Sequence, residues 1–152
     1  MQWEAMKRAL AMGQVDAARV QFVTHFSTGG QFIGFASQLV EVLDDRPRAR
    51  AVLRNALADP AAQDQLSRSR IGDCAVLIGD TELAFEAMQS AFVEARGLMM
   101  FEMWHPIYAR MRSDPRFKRM LVDVGLIDYW RRTGDWGDFA RPVGETDFEF
   151  IL

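Results

Sequence analysis

The sequence predicts an all-α protein: helical hairpins stacked on one another, then capping helices and an extended tail. Three observations carry that expectation. Apolar residues recur at i, i+3, i+4 and i+7 over several windows, while strand-like alternation is scarce. Small residues fall at fixed offsets inside those windows. Breaks at Gly29-Gly30, Asp59-Pro60, Gly79-Asp80, Gly97 and Gly134 divide the chain into helix-length pieces. The expected organisation is three helix pairs over 1–97, capping helices over 98–134 and an extended tail over 135–152.

The first pair comprises residues 2–12 and "QVDAARVQFVTHF", whose Val15, Ala18, Phe22 and Phe26 share a face. The second comprises 31–43 and "RARAVLRNAL", with Ala49, Val52, Leu53, Ala56 and Leu57 as its stripe. The third comprises 65–78, containing Ile71-Gly72 and Ala75, and "TELAFEAMQSAFVEA". In that last segment Leu83, Ala84, Ala87, Met88, Ala91 and Phe92 form one stripe, and Glu82 and Glu86 lie near the start, where the helix dipole favours acid. From Gly79, a small residue follows at +5 (Ala84), an apolar one at +9 (Met88) and a small one at +12 (Ala91). The same offsets from Gly13 give Ala18, Phe22 and His25; from Asp44 they give Ala49, Leu53 and Ala56. These anchors lie 31 and 35 residues apart.

The spacing resembles the tetratricopeptide repeat, a helix–turn–helix unit of roughly 34 residues. Two antiparallel helices approach closely only where small side chains meet, here Gly72, Ala75, Ala84 and Ala91. The resemblance implies a right-handed superhelix with a concave groove lined by the first helix of each pair. On that geometry Trp3, Lys7, Gln31, Gln38, Glu41, Ser69 and Asp73 line the inner surface, and Arg70 reaches its rim. A mixed polar face of this kind suits an extended peptide held by side-chain amides; the alternative is that these residues are merely solvated.

After Gly97 the pattern decays. "MFEMWHPIYARMR" reads as a helix interrupted or started at Pro106; "SDPRFKRMLVDVG" carries a cap at Ser113 or Asp114, Pro115 in its first turn and Gly125 at its end. Phe117, Met120, Leu121 and Val124 form its inner face, "LIDYWRRTG" is a short helix, and "DWGDFARPVGETDFEFIL" reads as extended over the surface. The run "MRSDPRFKRMLVDVGLIDYWRRTGDWGDFAR…DFEF" resembles the tail that closes degenerate tetratricopeptide regions in bacterial signalling proteins. These include adenylate and guanylate cyclases and winged-helix transcriptional regulators. Arg112, Asp114, Pro115, Arg116, Phe117, Gly125, Leu126, Tyr129, Trp130, Trp136, Asp138, Phe139, Asp147 and Phe148 carry the likeness. It departs at Gly137, where such tails usually have proline, and at Ala140 and Phe150, where cysteine is common. The resemblance implies a regulatory or protein-interaction module attached to an effector domain, neither type of which is visible in this sequence.

Composition narrows the remaining classes. Hydrophobic residues make up 49% and charged residues 26%, with a net charge of −3, so nothing global favours nucleic acid or an anionic membrane. No apolar run approaches the roughly 20 residues that span a bilayer, the N-terminus lacks signal-peptide features, and a cytoplasmic location is expected. The aromatic set Trp104, Tyr129, Trp130, Trp136 and Phe139 is either a cap over the last helical layer or a ligand cage, the latter making a small-molecule sensor. Arg110, Arg112, Arg116, Lys118 and Arg119 read as a solvated face partly paired with Asp138, Glu145, Asp147 and Glu149. His25 has no acidic residue three or four positions away and His105 has only Glu102, too few ligands for a metal site; Cys74 reads as a small core residue, and no phosphate loop or nucleophile elbow occurs. The expectation is therefore a non-catalytic module without cofactor or metal. Its partner is a protein or peptide, or a second copy docked through the apolar ending "FEFIL".

Overall fold

The computed structural model describes residues 2–27, 34–62, 64–94 and 100–151. It is mostly helical, with one two-stranded sheet among the described residues. The chain divides into two compact units, Met1–Asp114 and Pro115–Leu152, and the division falls within the segment expected to cap the stack.

In the first unit, α1 (Gln2–Ala11) packs on α2 (Val15–Ser27), α3 (Ala36–Glu41) on α4 (Arg46–Ala58), and α5 (Gln65–Leu77) on α6 (Thr81–Gln89), which runs on into a π-helical turn at Ser90–Glu94. Two 3-10 turns, Met100–Trp104 and Pro106–Tyr108, then lead into the single helical turn α7 (Ala109–Arg112). Pro106 thus opens a tight turn that leads into α7, with the His105 ring accepting from the Ile107 amide.

The turn inside the first pair has the same bonding as the turn inside the third. Gly13 N donates to Leu10 O and Gln14 N to Ala9 O; Gly79 N donates to Val76 O and Asp80 N to Ala75 O, at 2.8–3.0 Å throughout. Both turns need a left-handed residue, and Gly13 and Gly79 supply it at φ +72° and +71°. The next helix then begins in the same way each time. The amides of Ala18, Ala49 and Ala84 donate to the carbonyls of Gln14, Asp45 and Asp80 at 3.0, 2.8 and 3.0 Å. Asp45, Asp64 and Asp80 cap α4, α5 and α6 by accepting from the third helical amide (Arg48, Ser67 and Leu83).

The fixed offsets read from the sequence describe the core. Ala18, Ala49 and Ala84 are buried, as are Phe22, Leu53 and Met88, and Ala56 and Ala91 after them; His25, at the corresponding place in the first pair, is half-buried. Alanine at the first position lets the helix backbones approach, and the larger residue one turn later fills the space between them. Gly72 marks a close approach of α5 and α6: a Cβ there would sit 3.2 Å from Met88 Sδ and 3.3 Å from the Tyr108 hydroxyl.

Neighbouring pairs are also linked by arginines at matching positions. Arg19, six residues after Gly13, pairs with Asp44 at 2.6 Å and donates to Leu43 O. Arg50, six residues after Asp44, pairs with Asp80 at 3.1 Å, and Arg46 donates to Gly79 O at 2.7 Å. Each arginine therefore holds the turn of the following pair. Such partly exposed pairs contribute little energy, about 0–1 kcal/mol each, but fix orientation.

The second unit consists of α8 (Pro115–Asp123), α9 (Leu126–Thr133) and an antiparallel hairpin of β1 (Ala140–Val143) and β2 (Asp147–Phe150), in register Ala140↔Phe150 and Val143↔Asp147. The tail is thus extended and paired with itself. Phe117, Met120, Leu121, Ile127, Trp130, Ala140 and Phe148 are buried and form the unit's own core. Lys118 Nζ holds the second strand by bonding Asp147 Oδ1 at 3.0 Å and the Phe148 carbonyl at 2.5 Å, and Arg131 donates to the Glu145 carbonyl. Lys118, from the basic run, therefore pairs with the acidic tail. Among the described residues, no helix is long and apolar enough to cross a membrane.

Candidate functional site: a buried carboxylate between three elements

α5 is buried nearly all round. Arg68, Ser69, Ile71, Gly72, Asp73, Cys74, Ala75 and Leu77 are all inside, so its polar residues must find partners in the interior. Asp73, only 2% exposed, finds two. Its Oδ2 accepts from the Trp3 indole Nε1 at 2.7 Å, and its Oδ1 accepts from the Tyr108 hydroxyl at 2.5 Å. One carboxylate thereby joins α1, α5 and the Pro106–Tyr108 turn, across 70 residues of sequence on one side and 35 on the other.

Around this junction lies a wider charged set. Lys7, also 2% exposed, bonds Glu4 at 2.9 Å and Glu102 at 3.1 Å. The Arg70 guanidinium stacks over the Trp3 ring at 4.3 Å and stands 3.9 Å from Asp73 Oδ2. Phe22 and His25 meet the Trp3 ring edge-on at 6.1 and 6.0 Å.

These surroundings set the protonation states. Burial pushes the Asp73 carboxyl up to about 6, against the opposing pull of the Tyr108 and Trp3 hydrogen bonds and the Lys7 charge; Glu102 adds to the rise. Burial acts to lower Lys7, but the charge of Asp73 and the bonds to Glu4 and Glu102 outweigh it, so the ammonium is held above its ordinary range. Glu4 is lowered despite its own partial burial, through Lys7, His105 and Arg70. Burial lowers both imidazoles, with Arg70 adding to the effect at His25 and Lys7 at His105. The Cys74 thiol is raised well above its ordinary value by burial and by Asp73, which suits an inert core residue rather than a nucleophile.

The residues expected to line a groove separate into two groups. Trp3, Lys7 and Asp73 come together, but inside the unit rather than along an open surface; Ser69 is buried one turn before Asp73, and its hydroxyl has no hydrogen-bond partner among the described residues. Gln38 and Glu41 are exposed on α3, and no bond of the Asp73 cluster reaches them. Gln31 lies outside the described residues. Tyr108, Glu4 and Glu102 were not legible as members of the site. The one sequence signal for it is α5 itself, where Arg68, Ser69 and Asp73 interrupt an otherwise apolar and small-residue helix on more than one face.

The five aromatic candidates also divide. Trp104 belongs to the first unit and is half-buried; Tyr129, Trp130, Trp136 and Phe139 belong to the second. There Trp130 meets Trp136 at 5.6 Å and Phe148 at 6.5 Å, and Phe150 meets Phe148 at 5.4 Å and Phe117 at 5.5 Å. Phe148 and Phe150 of the apolar ending therefore pack within their own unit. Tyr129 and Phe139 are about half exposed, at 48% and 49%.

Among the described residues, no group of three or more His, Cys, Asp or Glu side chains is placed to hold a metal ion. No family model matches the chain, and neither a curated protein nor a solved structure matches it.

Proposed function

We propose that the chain is a non-catalytic, tetratricopeptide-like interaction module of a cytoplasmic bacterial signalling or transcription-regulating protein. The recurrence of one turn geometry, one buried alanine and one pair-to-pair arginine along the first unit supports this reading most strongly. Such recurrence is how stacked hairpins build an extended surface for a protein or peptide. The buried groups fit the same reading, since Asp73, Lys7, Trp3 and Tyr108 satisfy one another and serve to position α1.

The surface open to a partner on this reading is the outward part of the expected groove: Gln38 and Glu41 on α3 and the part-exposed Arg70. The test is a phage-displayed peptide library panned against the whole chain, with selected peptides measured by fluorescence anisotropy. Glu41→Arg and Gln38→Ala are expected to weaken binding tenfold or more (about 1.4 kcal/mol) with unchanged circular dichroism. Peptides that bind both variants as tightly as the parent overturn the surface assignment.

A further inference from the structure

We propose that the Trp3–Asp73–Tyr108 junction is a proton-operated clasp on α1, holding that helix more firmly in mildly acid solution than at neutral pH. The inference does not rest on the peptide-binding surface.

Geometry comes first. Both oxygens of a buried carboxylate are taken by donors from distant elements, Trp3 and Tyr108. Neither nearby cation completes a close pair: Lys7 is engaged by Glu4 and Glu102, and Arg70 stands 3.9 Å away. The ionised carboxylate is thus buried with neutral donors and only partial charge compensation, a costly arrangement. The neutral acid suits the same place. Its one O–H can donate to the Tyr108 oxygen, whose own hydrogen rotates away, while the other oxygen still accepts from Trp3.

The sign follows from what opening does. Lifting α1 removes Trp3 and Lys7 and lets water reach Asp73, returning the carboxyl towards its ordinary value of 3.8, whereas closure holds it at about 6. The closed form therefore binds the proton more tightly, so acid favours closure. This extra hold is fully present below the open-form value and is lost as pH rises through the closed-form value. Between pH 4 and 7 the α1 opening constant attributable to Asp73 rises on the order of 50-fold.

Other groups face the junction. Glu4 and Lys7 come from α1, Arg70 and Cys74 from α5, His25 from α2, and Glu102, His105 and Tyr108 from the 100–108 segment. Lys7, Cys74 and Tyr108 are shifted upward and titrate above this window. The lowered imidazoles oppose Asp73, because a closed form that resists imidazolium loosens in acid. The experiment must therefore isolate the carboxyl.

Native-state hydrogen exchange of α1 in the whole chain, corrected for intrinsic amide rates, is followed from pH 4 to 7 by mass spectrometry. Asp73→Asn keeps the neutral hydrogen-bond pattern and removes the titration. The expected result is a wild-type opening constant that climbs on the order of 50-fold relative to the variant across that range. Parallel pH profiles for the two proteins overturn the clasp. A His25→Gln/His105→Gln double variant removes both opposing imidazoles and leaves Glu4, whose lowered carboxyl opposes Asp73 only at the acid edge of the window. It is expected to retain or steepen the rise, and a flat α1 profile in that variant overturns the proposal even if the asparagine variant does not fold.

Discussion

Replacing Gly72 by alanine reverses the usual outcome of such a change. In an exposed helix interior, Gly→Ala stabilises by about 1 kcal/mol. Here the new methyl carbon would lie 3.2 Å from Met88 Sδ, 3.4 Å from Met88 Cγ and 3.3 Å from the Tyr108 oxygen. Met88 is 1% exposed and has little space to move into, and the Tyr108 hydroxyl is pinned to Asp73 at 2.5 Å. Overpacking of this kind costs about 1–3 kcal/mol. Loosening a hydrogen bond to a charged group adds about 1.5–3 kcal/mol if Tyr108 is displaced. Set against the helix-propensity gain, the net expectation with Tyr108 displaced is destabilisation by about 1.5–5 kcal/mol. Urea unfolding followed by circular dichroism measures it, and a Gly72→Ala/Met88→Ala double variant completes the cycle. The sulfur contact is relieved in the double variant, so the two changes should couple favourably by about 1 kcal/mol. A Gly72→Ala protein as stable as the parent, or more so, would refute the claim that α5 and α6 touch at this glycine.

Further expectations follow from the same geometry. Trp3→Phe keeps an aromatic ring against Phe22 and Arg70 but removes the donor to Asp73, at a cost of about 1–3 kcal/mol in urea unfolding. A loss below about 0.5 kcal/mol would show that the bond is absent in solution. Gly13→Ala and Gly79→Ala, at φ +72° and +71° with nothing within 4 Å of the added carbon, should each lose about 1–2 kcal/mol of stability by the same assay. Costs differing by more than about 1 kcal/mol would contradict equivalent turns. In the second unit, Phe148→Ala should cost about 3–5 kcal/mol and expose the amides of 140–150 to hydrogen exchange, since Phe148 joins the strand to Trp130 and Trp136. Retained protection there would show that the hairpin does not depend on this ring.

The helical class was legible because its signals are local. Apolar stripes, the aspartates before α4 and α6 and the glycines at 13 and 79 each act within a few residues, and the offset rule located Ala18, Ala49, Ala84 and their partners in the core. The tail was legible as non-helical, but its hairpin was not, because pairing Ala140 with Phe150 depends on a turn at Gly144 and on Lys118 far upstream. The site was the least legible part. Placing Trp3, Lys7 and Asp73 on the first helix of a pair identified the residues that meet, but helical position alone does not distinguish an open groove from a sealed contact. Sealing comes from Tyr108 and Glu102, 35 and 29 residues beyond Asp73, and no periodicity links them. The arginine pattern was legible in retrospect: Arg19 and Arg50 occupy the same offset, yet only the fold reveals that each reaches the next turn.

The carboxyl of Asp73 reports most directly on whether α1, α5 and the Pro106–Tyr108 turn close over a single charge. A carbon-13 NMR titration of that carboxyl in the whole chain is predicted to give a midpoint near 6, with the Trp3 indole N–H resonance shifting at the same pH. A midpoint near 3.8, with an indole signal indifferent to it, would contradict the closure.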